Sequence, residues 1–232
     1  MFKYETHVHS RECSACAKNS AREMVQAYHN AGYSGFVLTD HFIWGNTSVP
    51  RNIDWKTRMQ MYYDAYLDAK DEGNKMDFDV LFGIEHRYDI GKEILIYGID
   101  IEFLISHPEL EHADIDTYAK MVHAIGGILI HAHPYRERDY IPKEIEPRLD
   151  VCDGIEIYNA HDEIESNEKA RKEALKSNKI RLSGGDNHYV EDYRIGMAGM
   201  AFENRIRTIA EFVSAIKANI GKPIINGVVE NI

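Results

Sequence analysis

The first residues of the sequence whose side chains could take part in chemistry are two histidines near the amino terminus, His7 and His9. Side chains on an extended strand alternate between its two faces, so residues two apart point in the same direction. The two imidazoles could therefore bind one ion. Further groups of ligand-type residues follow short apolar runs; they are Asp40-His41, Glu85, His131-Ala132-His133 and Asp186-Asn187-His188. This repeated placement predicts a metal site assembled from many strand ends.

The residue types indicate which chemistry such a site could support. Imidazole and carboxylate ligands without several thiolates favour zinc, iron or manganese over an ion that prefers only oxygen. The candidate ligands are His7, His9, His41, Glu85, His133, Asp186 and His188. They exceed the three or four ligands of one catalytic zinc, so either some hold other ligands in place or more than one ion binds. Two ions ~3.5–4 Å apart would share a bridging hydroxide and hold a phosphoryl group, with Glu85 as the bridging carboxylate.

The elements that must position these groups are strands alternating with helices. Apolar runs predict strands at residues 2–8, 35–39, 79–84, 127–130, 153–158, 180–183 and near 197–201, and residues 93–98 form a fourth strand or a hairpin arm. Helical periodicity and capping signals predict helices at residues 20–32, 54–72, about 116–125 and 163–178, and one that begins at Thr208. This alternation indicates a parallel sheet with helices outside it, which could close into a barrel. In such barrels the chemistry lies at the carboxyl ends of the strands, where the candidate ligands fall.

Composition and charge restrict the classes of partner. The 232 residues can form one domain with a large core, and residues 1–232 are predicted to be that domain. A net charge of -11 argues against sustained nucleic-acid binding or an anionic membrane and favours a small substrate. No apolar stretch is long enough to span a membrane, and three cysteines are too few for a secreted disulfide framework. We expect a cytoplasmic protein, and the sequence does not indicate an oligomeric state.

Taken as a set, several stretches resemble the motifs of the PHP (polymerase and histidinol phosphatase) superfamily. They are His7-Val8-His9-Ser10, Thr39-Asp40-His41, Gly83-Ile84-Glu85, Ala132-His133-Pro134 and Gly185-Asp186-Asn187-His188, in the family's order. The resemblance implies a distorted (β/α)7 TIM-like barrel of PHP type, up to three divalent metal ions and hydrolysis of phosphoesters. It also implies metal ligation by His7, His9, His41, Glu85, His133, Asp186 and His188.

The chain departs from the family pattern in two places. Family members carry an acidic or histidine ligand several residues after the first pair, and the options here are Glu12, which we favour, and Cys16. They also place a histidine on the strand after the glutamate motif, where this chain reads Glu93-Ile94-Leu95-Ile96. Leu95 at that alignment cannot bind a metal. Two ions, or three with a substitute ligand, are both compatible with the sequence.

Other polar residues near the strand ends have less definite roles. His131 alternates with His133 and could face the site, although the resemblance covers only His133. Arg136 and Arg194 follow ligand motifs, and guanidinium groups there could bind phosphate oxygens in a bidentate manner. A structural role for either arginine is the alternative.

The sequence therefore predicts a metal-dependent phosphoesterase that acts on a small phosphorylated substrate, a phosphomonoester in preference to a polymer. We assign catalytic roles to Glu85, His133 and Asp186, substrate binding to Arg136 and Arg194, and two to three zinc, manganese or iron ions as cofactors. One alternative is an amidohydrolase-type metal hydrolase, which also begins with two alternating histidines but commonly has a lysine at a strand end. Another is a non-catalytic regulatory module stabilised by metal.

Overall fold

A computed structural model describes residues 1–230 of the chain. Its strands are β1 Phe2–Val8, β2 Gly35–Leu38, β3 Asp79–Asp89, β4 Lys92–Tyr97, β5 Ile128–Ala132, β6 Gly154–Asn159, β7 Ile180–Gly184, β8 Ala198–Phe202, β9 Lys222–Ile225 and β10 Val228–Val229. Its α-helices are α1 Ala21–Asn30, α2 Trp55–Lys75, α3 Ile101–Ser106, α4 Ile115–Ala124, α5 Ile164–Lys176 and α6 Ile209–Lys217. Short 3-10 helices cover Pro108–Glu111 and Leu149–Val151.

The strands form one curved sheet in the order β10-β9-β8-β1-β2-β3-β4-β5-β6-β7. Its curvature brings β7 back to β1, where Thr6 Oγ1 donates to Ser183 O at 2.7 Å and Val8 bridges to Asn187. Gly184 permits this approach, because a Cβ there would lie 2.7 Å from His7 Cβ. Strands β1 to β7 thus close a distorted barrel, and β8 to β10 extend the sheet from β1. The predicted TIM-like architecture is confirmed.

The prediction of a parallel sheet is wrong for β8, which runs antiparallel to β1, and for β4. This strand runs antiparallel to both β3 and β5, so it is the hairpin arm that the sequence left as an alternative. Only two residues separate β3 from β4, and a parallel connection needs a crossover of a dozen or more. The consequence for the site is that β4 presents its amino end, and not its carboxyl end, to the rim where β3 and β5 finish.

The helices begin where local capping signals place them. Ser20 and Glu23 form a reciprocal capping box at α1, and the Asp54 carboxylate accepts a hydrogen bond from Thr57 N at the start of α2. Large side chains along one face of α2 pack into the core, where Met59 and Tyr62 are buried. Each such buried side chain contributes roughly 1.5–3 kcal/mol to the free energy of unfolding.

Helix α6 covers the barrel end opposite the ligand residues. The Phe212 ring packs against Tyr97, the last residue of β4, with centroids 5.2 Å apart. Because β4 is antiparallel, its carboxyl end lies at the amino-terminal rim of the other strands. The carboxyl-terminal rim is left for the polar groups. Within residues 1–230, no helix combines the length and apolarity needed to cross a bilayer.

Candidate metal centre

Strand β1 delivers two imidazoles to one place. His7 and His9 are completely buried, and their ring centroids are 5.0 Å apart. His7 Nε2 lies 3.1 Å from Glu85 Oε1, and His9 Nε2 lies 3.2 Å from Asp186 Oδ1. The shared strand face that the sequence predicts therefore brings both rings to the carboxylates of β3 and of the loop after β7.

Glu85 is the carboxylate on which the imidazoles of several elements converge. Its Oε1 lies 3.0 Å from His133 Nε2, and its Oε2 lies 2.5 Å from His41 Nδ1. The side chain is fully buried and projects from the long strand β3, which holds it in place. Because its two oxygens face different imidazoles, Glu85 has the arrangement expected of a carboxylate shared between two ions.

Two of the converging residues have left-handed backbone conformations. His133 has φ 29° and Asp186 has φ 55°, and each lies just beyond a strand end, after β5 and β7 respectively. Such conformations cost about 1–3 kcal/mol in a residue other than glycine, so the surroundings must stabilise them. The His133 amide donates to Glu156 Oε2 at 2.9 Å, and Asp186 Oδ2 accepts from Arg136 Nη2 at 2.7 Å.

The side chains form overlapping groups whose potential ligand atoms lie within 4.8 Å of one another. These groups are His7 with His9 and Glu85, His7 with His133 and Asp186, His41 with Glu85 and Glu93, and His9 with His41 and His188. Each contains at least two imidazoles or an imidazole with carboxylates, which suits zinc, manganese or iron. The donor sets fit more than one ion.

Within residues 1–230, several buried polar atoms in these groups make no well-directed hydrogen bond, even where another polar atom is as close as 2.5 Å. They are His7 Nε2, His9 Nε2, His41 Nδ1 and Glu85 Oε2. Each unsatisfied buried group costs about 1–3 kcal/mol, and native proteins keep few of them. All four residues belong to ligand groups that contain Glu85, so cations bound next to Glu85 could satisfy these atoms. The residues present thus fit a bound divalent ion.

The electrostatics of the cluster also favour a cation. Burial opposes charge on His7, but Asp186 and Glu156 outweigh burial and hold the pKa of His7 well above its ordinary value. Burial likewise opposes charge on Glu85, and the imidazoles of His7 and His41 hold the pKa of Glu85 well below its ordinary range. Glu85 is therefore ionised, and metal ions would compete with protons for the imidazoles.

Hydrogen bonds to residues outside the ligand groups orient the imidazoles of His7 and His9. His7 Nδ1 lies 3.0 Å from Glu156 Oε1, so the imidazole can donate there and turn the lone pair of Nε2 toward the cluster. His9 Nδ1 lies 3.1 Å from Ser14 Oγ, which donates to Asp40 Oδ1 at 2.7 Å. Asp40 therefore acts through Ser14, in the orienting role that carboxylates commonly have beside metal ligands.

A pocket of about 480 Å³ opens onto the cluster. It is lined by Cys16, His41, Gly45, Asn46, Arg87, Gly91, Glu93, Arg136, Tyr140, Asp186 and His188. Potential ligands thus lie on the same wall as two guanidinium groups, in a space that a small anionic molecule could enter.

Solved structures share this arrangement of strands and helices at low sequence identity. A two-domain protein from Bacteroides vulgatus that contains a predicted PHP-like metal-dependent phosphoesterase superposes with a TM-score of 0.71 at 13% identity, covering 98% of this chain and 66% of that one. The fold is PHP-like. The lesion-specific endonuclease PfuEndoQ from Pyrococcus furiosus gives 0.62 at 14% identity, covering 94% of this chain and 56% of that one.

A further neighbour of the PHP-like fold is an amidohydrolase from Chromobacterium violaceum with bound sulfate and no metal. Its TM-score is 0.61 at 15% identity, with 92% of this chain and 96% of that chain covered. No protein-family model matches this sequence, and a search of curated proteins finds no match. At these identities, the comparisons establish the fold.

The structure brings most of the predicted ligands together but not Glu12. The Glu12 carboxylate accepts a hydrogen bond from Ala21 N at 3.1 Å, at the start of α1, and belongs to none of the ligand groups found in residues 1–230. Cys16, the alternative at this position, lines the pocket. His188, which the sequence predicts to be a ligand, lies in one group with His9 and His41.

The two arginines proposed for substrate binding lie in different places. Arg136 lines the pocket beside Asp186; burial opposes its charge, but ion pairs with Asp186 and Asp162 outweigh burial and keep it charged. Arg194 pairs with Asp192 at 3.1 Å and lines a separate cavity of about 360 Å³. Only Arg136 faces the ligand groups.

His131, which the sequence left open, has both ring nitrogens engaged by protein. Its Nδ1 lies 2.9 Å from Ala132 O and its Nε2 lies 2.8 Å from Tyr88 OH. A neutral ring protonated at Nδ1 satisfies both contacts. Burial lowers the pKa of His131 to about 3, which keeps the ring neutral, so His131 supports the structure beside the site.

Sequence reasoning missed Glu93 and Glu156. Glu93 lies at the amino end of β4, and it reaches His133 Nε2 at 3.5 Å only because that strand is antiparallel. Glu156 lies inside the apolar run of β6 and is buried. A carboxylate inside an otherwise apolar strand is the signal that could have identified Glu156, since an unpaired buried charge is very costly.

Proposed function

We propose that this chain is a metal-dependent phosphoesterase that hydrolyses a small phosphomonoester. The observation that carries this proposal is the position of Glu85, whose two oxygens face separate imidazoles next to an open pocket with a guanidinium group on its wall. The PHP-like fold supports it, because neighbours of that fold are described as metal-dependent phosphoesterases.

In this proposal, the ligands are His7, His9, His41, Glu85, His133, Asp186 and His188, and two to three zinc, manganese or iron ions bind. When bound, these ions would supply Lewis-acid activation of water and neutralise phosphoryl oxygens. The task of the protein is to hold the ligand atoms in fixed positions. The rigid strand β3 does this for Glu85, and the hydrogen bond to Glu156 does it for His7.

Arg136 is the best-placed group for the phosphate. Its Nε donates to Asp162 Oδ1 at 2.5 Å, and its Nη2 donates to Asp186 and to Asn159. These bonds fix the guanidinium plane. Among residues 1–230, Nη1 has no hydrogen-bond acceptor, so it remains available to a phosphate oxygen at the pocket wall.

The substrate is expected to be small. A pocket of about 480 Å³ accommodates a phosphorylated metabolite, and a net charge of -11 would repel a long polyanion. The endonuclease among the structural neighbours is a longer chain, of which this one covers 56%. Action on a nucleic-acid end is therefore the less favoured form of the same chemistry.

The proposal is tested with three substrates that share one chromophore: an aryl phosphomonoester, the corresponding phosphodiester and an aryl amide. We expect manganese- or zinc-dependent hydrolysis of the monoester, loss of activity with a chelator and recovery on adding metal. Preferential cleavage of the amide would favour the amidohydrolase alternative. A protein that binds metal but hydrolyses none of the three, or natural phosphomonoesters, would favour the regulatory alternative.

Arg136→Lys separates binding from chemistry, because it keeps a positive charge beside Asp186 but loses the planar fork. We expect the KM for the monoester to rise about tenfold with a smaller change in kcat. Arg22→Ala, which removes exposed ion pairs with Asp68 and Asp71 and lines neither cavity, is the control and should leave both constants unchanged. If Arg194→Ala raises the KM and Arg136→Lys does not, the phosphate binds in the other cavity.

A further inference from the structure

A small basic cavity shares one wall residue with the pocket of the metal centre. Its volume is about 130 Å³, and Arg136 lines both spaces. The lining contains five basic side chains and two acidic ones; they are Lys92, Arg136, Arg138, Lys143 and Lys169, with Glu137 and Glu146. The chain as a whole has a net charge of -11, so this concentration of positive charge is a local feature.

Lys92, the first residue of β4, is the buried cation of this cavity. The residue is only 5% exposed, and its Nζ donates one hydrogen bond, to Pro134 O at 2.9 Å. An ammonium group has three protons to donate, and within residues 1–230 Lys92 forms no ion pair. Lysines are almost never buried this far without an anionic partner, because an uncompensated charge away from water is costly. The cavity thus contains a cation that lacks an anion.

Strand geometry separates Lys92 from the metal centre. Neighbouring residues of a strand point to opposite faces of the sheet. Glu93 reaches His133 Nε2 at 3.5 Å, so Lys92 points to the other face. It shares that face with Ile94 and Ile96, which belong to the same core cluster as residues of α2 and α4. A lysine at an apolar position of this kind has no role in packing that an apolar residue could not fill, and its charge calls for a ligand.

The acidic residues of the lining do not neutralise the buried ammonium group. Glu137 and Glu146 are exposed, and neither forms an ion pair within the part of the chain that the structure describes. Water and salt screen exposed carboxylates. Lys143 and Lys169 are exposed too, and the Lys169 Nζ lies 4.1 Å from the centroid of the Tyr135 ring. An anion that enters the cavity would therefore meet a buried ammonium group with two exposed ones at the rim.

We propose that this cavity binds phosphate, or another tetrahedral oxyanion of that size, through Lys92 with Lys143 and Lys169 at its rim. Pockets for whole metabolites measure ~300–1,000 Å³, so a cavity of about 130 Å³ suits a single small ion. Oxyanions accept short hydrogen bonds from ammonium groups, and these are stronger than bonds between neutral partners. The site is separate from the metal centre, and the inference does not depend on the proposed function.

Equilibrium dialysis with radiolabelled inorganic phosphate tests the site on the purified, metal-loaded protein. We expect Lys92→Met, which keeps an unbranched apolar side chain but removes the ammonium group, to weaken the binding of one phosphate by about tenfold or more. Lys172→Met is the matched control, because Lys172 is an exposed residue of α5 that pairs with Glu168 and lines neither cavity. The double variant Lys143→Met/Lys169→Met changes only exposed residues. It should weaken binding as well, and it tests the site even if Lys92→Met fails to fold.

Phosphate is also the product of the proposed reaction, so the dialysis is repeated after chelation on protein shown by circular dichroism to be folded. Phosphate held by the metal centre should be lost with the metal, whereas phosphate at Lys92 should remain. Unchanged binding in Lys92→Met, or no binding by the metal-free parent, would overturn the proposal and leave the proposed phosphoesterase standing. Metal-independent binding in a protein that hydrolyses no phosphomonoester would support this site and remove the proposed function alone.

Discussion

Two regions of the barrel rim carry the same sequence pattern, histidines two residues apart, yet they use it differently. At the end of β1, both His7 and His9 reach the carboxylates of the site. At the end of β5, His133 reaches Glu85, but His131 is held by Tyr88 and by Ala132 O. The spacing alone therefore does not determine whether two imidazoles share an ion.

The difference arises from what surrounds each strand end. At the end of β1, the Nε2 atoms of His7 and His9 both face carboxylates, and within residues 1–230 neither atom makes a well-directed hydrogen bond. Beyond β5 the chain turns at His133, whose φ of 29° carries its ring away from the regular strand geometry, while His131 lies beside a tyrosine on β3. Competition from neighbouring hydrogen-bonding groups decides which histidine is available to metal.

The largest effect is expected at Glu85, which contacts imidazoles of both strand ends. Glu85→Gln removes a charge and one good oxygen ligand but little packing, because the side chain is a polar group of the site. We predict a fall in kcat of at least ~100-fold for the phosphomonoester, with the midpoint of urea unfolding nearly unchanged.

Metal content must be matched between Glu85→Gln and the parent before rates are compared. Activity within a few-fold of the parent at equal metal content would mean that Glu85 does not bridge ions and that the two strand ends do not act through it.

A smaller effect is expected at Glu156, which supports one imidazole from each strand end. Its Oε1 orients His7 Nδ1, and its Oε2 accepts from the His133 amide. Glu156→Gln should weaken metal affinity by about 10- to 100-fold, as measured by competition with a chromophoric chelator. Glu168→Gln, on the exposed face of α5, is the control. Equal affinity in the two variants would show that the orientation of His7 does not depend on Glu156.

His131 and His133 should separate stability from metal binding. His131→Phe leaves the Tyr88 hydroxyl without that partner, so we predict a loss of about 1–3 kcal/mol in the free energy of unfolding and unchanged metal content. His133→Ala should lower metal content instead. Loss of metal in His131→Phe, with the fold intact by circular dichroism, would contradict the assignment of His131 as a structural residue.

The smallest effect is a pH dependence from His86, which is buried against the Tyr118 ring at 4.1 Å. Burial lowers the pKa of His86 to about 3, below the ordinary value of 6.5. The unfolded chain therefore binds this proton first, and stability falls as pH drops from 6.5 toward 3, by up to about 1.4 kcal/mol per pH unit.

His86→Phe keeps the stacking and removes this titration. Urea unfolding at several pH values between 7 and 5 should give a shallower loss of stability in the variant than in the parent. Parallel profiles would show that folding does not lower the pKa of His86.

Much of the fold could be predicted because its signals are local. The capping residues Ser20, Asp54 and Thr208 precede helices that form where expected, and the apolar runs become strands. The direction of β4 could not be predicted from its own residues, since a strand has the same alternation in either direction. The presence of Glu93 at the rim depends on that direction and was missed for the same reason.

The sequence by itself determined which residue types lie at strand ends, because each hydrophobic run and the polar residues that follow it are adjacent in the sequence. That was sufficient to predict a barrel rim rich in imidazole and carboxylate. Only the tertiary structure decided which members of that set meet. Hydrogen bonds from distant elements engage His131, place Glu12 at the start of α1 and bring Glu156 to His7. These choices depend on the distances and burial of side chains far apart in sequence, which no local pattern encodes.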